Sequence, residues 1–375
     1  MSTDTQGRKL LTNAEAFRDV SRGNPKPFTL KGEDLVKARL TPSTWRLEII
    51  GEGSAKLQRP RQLQDGTAID LPKLEDLGKR HSVKFLKAMQ CLNIAQPLGQ
   101  GLWEGVPLRE VLKFAGKTRK ARRIFWSGFH NNDPKQLFQS SLSYSQVMET
   151  PPDNLPVFVA YRLNGKPLSL LRGGPVRMVV PWAHGFKSIK WLQRITLTSD
   201  FKANDTYADA GNDPESYLKT MARIDEGMET FAASRPIVLT GVAMVGWSGL
   251  RLVEYWLRPD TGRHGQIDED DPAWKRAEWK PCTIDPPPAD WTSHLPGGVQ
   301  PRQVWGFDPH TGKPKEWPLR YSVVPWSVSL KDLPPGAYEF RVRTVDLNGY
   351  AQPEPRPDPK TGRNEIQCRT ILVMR

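Results

Sequence analysis

The sequence predicts an α+β protein in which a mixed helix-and-strand domain is followed by a β-sandwich. Three observations carry that expectation. The 375 residues amount to two or three domains at about 150 residues each. The 34 Pro and 30 Gly suit a loop-rich, strand-containing chain better than a helical bundle. From about Arg235 onward, short strand patterns with Gly and Pro turns replace the earlier mixture of helices and strands. The expected boundaries are a polar arm over 1–44, a mixed domain over 45–232 and the sandwich over 233–375, broken by an insertion over 259–322 that holds 11 Pro.

The arm is charged and ends in LTPST, which reads as an extended segment or small helix lying on the main domain. WRLEIIGEGSAKLQ alternates apolar and polar residues before a Gly turn, as a strand does. LPKLEDLGKRHSVKFL reads as a short helix running into a second strand. GVPLREVLKFAG predicts a helix, because Leu108, Val111 and Leu112 share a face, Pro107 suits the first turn and Gly116 the stop. IFWSG and VFVAYRLNG read as buried strands, the second closing a hairpin at Asn164–Gly165. VRMVVPW and KWLQRITLTSD add two strands. DPESYLKTMARI predicts a helix capped by Asp213 with Pro214 in its first turn. In the C-terminal half, RPIVLTGVAMVGWSGLRLVEYWLRPD supplies two or three strands. GAYEFRVRTVDLNG alternates at Tyr338, Phe340 and Val342, and IQCRTILVM closes the chain.

Composition removes several classes. No apolar run approaches the about 18–20 residues that span a bilayer. The 13 Trp and a charged share of 25% leave ample apolar bulk for a core, so wholesale disorder is excluded. Cys91, Cys282 and Cys368 are too few and too scattered for a disulfide framework or a cysteine zinc site. The first residues, MSTDTQGRKLLTNAEAF, show no apolar run ahead of a cleavage site. The chain therefore reads as cytoplasmic by default, and as periplasmic where an export signal has been removed.

The net charge of +13 is uneven. Residues 101–200 hold 15 basic against 6 acidic side chains, the largest local excess, so that stretch is where an anion would be drawn. No helix-turn-helix, zinc finger or aromatic RNA-binding signature accompanies the charge, so nucleic acid is not the expected partner. The run KTRKARR at Lys117–Arg123 reads as a solvated loop leading into a strand.

A cysteine after an apolar strand is usually a small buried hydrophobe, and Cys91 in KAMQCLNIAQ reads that way when taken alone. Its context changes the reading. GLWEGVPLREVL follows it, then RGGPVRMVVPWAHGFKSIKWL, and near the C-terminus LPPGAYEFRVRTVDLNGYAQP. In this order, from about residue 45 to residue 375, these stretches resemble the sulfite oxidase family of molybdenum enzymes. The GFKSIKW form is most similar to the bacterial branch that includes periplasmic methionine-sulfoxide reductases.

The resemblance implies a sulfite-oxidase-like mixed α/β molybdopterin-binding domain followed by an immunoglobulin-like β-sandwich, which in the family commonly mediates dimerisation. It implies a molybdenum-molybdopterin cofactor with Cys91 as the protein's metal ligand, since a soft thiolate suits a thiophilic metal. Cys282 falls in the insertion and Cys368 in the last strand, away from that position. The cofactor's phosphate needs fixed cations and backbone donors. The resemblance places Arg172, Arg177, Lys187, Ser188, Ile189 and Lys190 around it, with Asn93 and Ser127 as further polar contacts. Tyr207 and Arg172 are the expected catalytic partners of Cys91. Tyr217, His184 and His130 are weaker candidates, each with a structural alternative as core or supporting residue.

Two departures from the family weaken sulfite as the substrate. No R-N-H motif stands in LTPSTWRLEII, and the residues after Cys91 read Leu-Asn-Ile-Ala-Gln, without arginines. The first expectation is two-electron oxygen-atom transfer with sulfite oxidation, from the resemblance, and the alternative that the departures raise is reduction of an S- or N-oxide. A cofactor-free scaffold on the same fold is the third reading. No cytochrome b5 domain or CxxCH haem site is present, so electrons are expected to pass to a separate protein such as a cytochrome.

Overall fold

A computed structural model describes residues 9–94, 96–260, 262, 272–352 and 365–375. The N-terminal domain has two main sheets. In the first, the strands run in the order Ile69–Asp70, Arg46–Glu52, Leu192–Thr198, Arg123–Gly128, Gln139–Ser143. Arg46–Glu52 and Leu192–Thr198 are parallel, with Glu48 opposite Arg194, although 146 residues separate those two in sequence. The second sheet is antiparallel, in the order Lys166–Pro167, Phe158–Leu163, Pro97–Pro107, Val83–Gln90. Arg177–Val179 also pairs with Phe158–Leu163.

One core joins these sheets. Leu47, Ile49, Trp126 and Ile195 come from the first, and Phe85, Val106, Val159 and Met178 from the second. Each fully buried aliphatic or aromatic side chain contributes about 1.5–3 kcal/mol. Helix Leu71–His81 is capped by Asp70, whose carboxylate accepts from the backbone N–H of Lys73 at 3.0 Å. Leu74 turns into the core, while Lys79, Arg80 and His81 occupy the last turn, where the helix dipole favours cations.

The C-terminal half consists of two packed sheets. One runs Met221–Ile224, Ile237–Met244, Val323–Leu330, Thr283–Ile284, and the other Thr230–Ala232, Gln367–Met374, Gly336–Val345, Leu252–Pro259, Lys280–Pro281. Leu239, Val253, Val342 and Ile371 meet between them, and Trp326 stacks on Phe340 at 6.3 Å. The alternation at Tyr338, Phe340 and Val342 would leave Glu339 and Arg341 on a wet face. Both are instead buried, and Glu339 accepts from Arg258 at 2.7 Å.

Three elements differ from expectation. The helix expected over 213–224 is absent. Asp213 accepts from the backbone N–H of Glu215, Ser216 takes a φ of 50°, and the chain then enters the buried strand Met221–Ile224. Residues with the apolar spacing of a helix are there used by a sheet. Strand Pro97–Pro107 has no period-2 signature, because three of its residues are glycines placed where backbone or rings approach closely. A Cβ at Gly105 would lie 2.2 Å from the Val159 carbonyl oxygen, at the register shift between Glu104 and Gly105. The insertion, where described, is not a detached loop. Lys280–Pro281 and Thr283–Ile284 extend the two sandwich sheets, and Trp291, Val304 and Phe307 pack with Leu86 and Leu102 of the first domain. Residues 261 and 263–271 of it lie outside the described residues. No helix among the described residues is long and apolar enough to cross a membrane.

The described part of the N-terminal segment, residues 9–44, lies against the first domain. Thr12 and Arg18 donate their backbone N–H groups to the carbonyls of Gln100 and Leu98, each at 2.8 Å. Its described residues form two 3-10 turns, Ala14–Ala16 and Pro27–Thr29, and one short α-helix, Gly32–Lys37.

Candidate functional site

A cleft with about 1040 Å³ of empty space opens where strand Val83–Gln90 ends. Cys91, the next residue, lines it with a free, half-buried thiol. The other two cysteines lie elsewhere. Burial pushes the Cys282 thiol up to about 12, and burial also raises that of Cys368, so neither favours the thiolate. Among the described residues no cluster of three His, Cys, Asp or Glu could hold a metal ion.

Four expected anion-binding residues meet in this cleft: Arg172, Arg177, Ser188 and Lys190. Arg172 ends a short 3-10 turn and donates to the Phe17 carbonyl at 2.9 Å. Arg177 opens a buried strand and donates to the carbonyls of Arg172 and Ser188. Burial, then the adjacent Arg172, pushes the Arg177 guanidinium down to about 9. The Nε atoms of Arg172 and Arg177 are buried without a hydrogen-bond partner among the described residues. The Ser188 hydroxyl accepts from the backbone N–H of Val180 at 3.1 Å. Ile189 also lines the cleft, with its carbonyl committed to Met178.

Lys190 donates to Asp19 at 3.1 Å, to Ser21 at 2.5 Å and to the Leu171 carbonyl at 2.7 Å. Burial, then Arg177, pushes its ammonium down to about 7, against the pull of Asp19. Burial would raise the Asp19 carboxyl, but the Ser21 hydrogen bond and the Lys190 charge hold it down to about 2. Lys190 thus sheds its proton as pH rises through about 7, while Asp19 stays charged. At this site the folded chain binds less proton than the unfolded one between about 7 and 10.5, so this lysine's burial cost weighs fully below 7 and lifts toward 10.5. Sulfate, which keeps its charge across this range, should accordingly bind the cofactor-free chain more weakly at pH 8 than at pH 6. Calorimetric titration checks this, and a Lys190→Met variant should lose the pH dependence. A flat profile in the wild type would remove Lys190 from the anion site.

Other expected residues fall differently. Asn93 is exposed and outside the lining, two positions past the thiol. Ser127 is half-buried, and it is its neighbour Gly128 that lines the cleft. Lys187 points into the interior. It is fully buried, donates to the Ser141 carbonyl at 2.8 Å and pairs with buried Asp205 at 3.5 Å. Asp205 in turn accepts from the backbone N–H groups of Tyr207 and Ala208 at 3.2 and 3.0 Å. Lys187 is thus linked to the turn that carries Tyr207 through Asp205, and is not itself part of the cleft lining. Tyr207 lines the cleft, stacked on Phe186 at 4.2 Å, and its hydroxyl accepts from Arg22 at 3.2 Å. His130 lines it too, with Nδ1 3.2 Å from the Gly128 carbonyl. His184 is buried against the Ser216 carbonyl, and Tyr217 packs on Trp247 at 4.5 Å in a loop, outside the lining.

The arm's share of the site has no local signal in the sequence. Phe17, Asp19, Ser21 and Arg22 line or reach the cleft only because the fold returns partners such as Lys190, 171 residues away. Lys87 was legible as an oddity, a lysine within the apolar strand VKFLKAMQ.

The description "Oxidoreductase molybdopterin binding domain" matches residues 34–206. Over 189 residues the chain is 28% identical to mitochondrial sulfite oxidase of Rattus norvegicus, covering 47% of this chain and 33% of that protein. Residues 34–206 thus match a molybdopterin-binding oxidoreductase domain and are similar to that of sulfite oxidase. An NADPH nitrate reductase of Beauveria bassiana is 33% identical over 106 residues, 28% of this chain and 11% of that protein. The matched segments thus span a third or less of these curated relatives. The crystal structure of the sulfane dehydrogenase SoxCD from Paracoccus pantotrophus shares the fold, with a TM-score of 0.58 at 17% identity over 89% of this chain and 79% of that one. The sulfite oxidase family's cofactor is molybdenum-molybdopterin.

Proposed function

We propose that this chain carries out two-electron oxygen-atom transfer on a small substrate, using molybdenum-molybdopterin held in the cleft at Cys91. The observation that carries the reading is one free thiol sharing a cleft with two buried arginines whose Nε atoms lack partners among the described residues. A buried guanidinium with an unused donor is costly, and an anionic group relieves it. The donor set therefore fits a group with a soft metal at one end and a phosphate at the other. Cys91 would hold the metal, and Arg172, Arg177, Ser188 and Lys190 the anionic end. When bound, the group supplies the two-electron couple.

The chain's own residues do the rest. Arg22 and Tyr207 stand together at the arm side of the cleft, where a hydroxyl hydrogen-bonded to a guanidinium can hold a substrate oxygen or pass it a proton. Phe17, Leu98, Trp103 and Phe186 keep water from the interior of the cleft. Sulfite oxidation is the first substrate reading. Reduction of an S- or N-oxide is the second, favoured by the apolar lining, with the lining lysine already paired to Asp19. Electrons would pass to or from a separate protein such as a cytochrome. The C-terminal sheets would form an immunoglobulin-like module through which two copies pair.

Elemental analysis of protein expressed with cofactor supply should find close to one molybdenum per chain, and parallel assays with sulfite and with a dialkyl sulfoxide should separate the two reactions. Protein that stays free of molybdenum would instead support a cofactor-free binding role.

A further inference from the structure

Lys87 sits four residues before Cys91 on strand Val83–Gln90, fully buried. Its Nζ donates to the carbonyls of Pro181 at 2.6 Å and Ala183 at 3.3 Å. Among the described residues it has no carboxylate at ion-pair distance, and the charge acting on it is that of Arg177, of the same sign. Burying an ammonium without a counter-ion is unfavourable, and an aliphatic side chain of this length would serve packing better. The position must therefore be explained by what the lysine holds.

It holds the segment that leads into the anion-binding loop. From Pro181 the chain passes to the turn Gly185–Lys187 and then to Ser188 and Lys190. The same loop lies across the end of the sulfur-bearing strand, since a Cβ at Gly185 would come within 3.2 Å of the Gln90 carbonyl oxygen. Trp103, which lines the cleft, donates its indole N–H to the Lys87 carbonyl at 3.3 Å and lies under the Arg177 guanidinium at 5.0 Å. Strand, loop and cleft wall thus converge on one residue.

We propose that Lys87 is a positioning residue for cofactor capture: by pinning the Pro181 and Ala183 carbonyls it sets the spacing between the Cys91 sulfur and the Ser188–Lys190 anion site. This rests on the cofactor reading above. Lys87 touches neither end of the cofactor, and its effect is on how long both ends stay engaged together.

The test uses the full chain expressed with cofactor supply, comparing wild type with Lys87→Met and Lys87→Gln. Molybdenum per chain is followed during dialysis, and the thermal midpoint of cofactor-free protein is measured alongside. Lys87→Met should unfold at or above the wild-type temperature when cofactor-free, yet lose molybdenum about 10–100-fold faster, the range seen when supporting partners of a metal site are removed. Lys87→Gln, which keeps a donor, should fall between. Should Lys87→Met fail to fold, Lys87→Gln carries the same comparison with an expected loss faster than wild type. Wild-type retention in the folded variants would overturn the proposal, as would losses that merely track a falling thermal midpoint. A wild-type chain that takes up no molybdenum would instead sink the cofactor reading itself.

Discussion

Replacing Cys91 by serine should leave the chain folded and lower turnover on any accepted substrate by about 100-fold or more, beyond what changes to supporting partners of a metal site produce. The thiol is half-buried at the end of a strand and packs beside Met89 and Leu98 without filling a closed core. A near-isosteric change there costs the fold under about 1.5 kcal/mol. The chemistry is not near-isosteric, because a hard hydroxyl replaces a soft, polarisable thiolate as ligand to a thiophilic metal. Molybdenum content, turnover and thermal midpoint measured on one preparation separate these effects. Undiminished turnover in the serine variant would exclude Cys91 as the ligand.

The second large effect is expected at Asp205. Its carboxylate is fully buried, pairs with Lys187, and accepts from the Ser141 N–H at 3.1 Å and from both serine hydroxyls of Ser140 and Ser141. Its other oxygen caps the turn that starts at Tyr207. Asp205→Ala leaves the Lys187 ammonium buried without a counter-charge, which costs about 3–5 kcal/mol. Lys187→Met in the same chain should recover much of that loss, because it removes the stranded charge. A urea-unfolding cycle over the four proteins measures the coupling. Additive losses would show that the two side chains do not act as a pair. They would also reopen a direct cofactor contact for Lys187.

The contrast between Lys187 and Lys190 shows what the sequence could and could not tell. Both belong to the stretch GFKSIKW, and three positions separate them. The backbone turns through Gly185–Lys187, which sends one ammonium inward to Asp205 and the other into the cleft. No local pattern distinguishes the two, because the deciding partner of each lies in another element. The strands around Cys91 were legible for the opposite reason. VKFLKAMQ and IFWSG carry their apolar bulk in sequence, so burial alone assigns them. Pro97–Pro107 was hidden by the glycines that let it pack, and Met221–Ile224 by a spacing that suits a helix equally well. The arm's part in the site was illegible because Asp19 and Arg22 acquire meaning only beside Lys190 and Tyr207.

The rear of the sulfur-bearing strand is held by the other half of the molecule. Ala88 donates its backbone N–H to the Tyr321 carbonyl at 2.8 Å and packs with Met221 and Met244, while the Trp305 N–H reaches the Lys84 carbonyl at 2.8 Å. The strand that leads to Cys91 is thereby anchored from the C-terminal half, so substitutions at Tyr321 or Met244 would act on its placement from behind. The cleft itself is bordered by the N-terminal segment, which joins it through Asp19 at Lys190 and Arg22 at Tyr207.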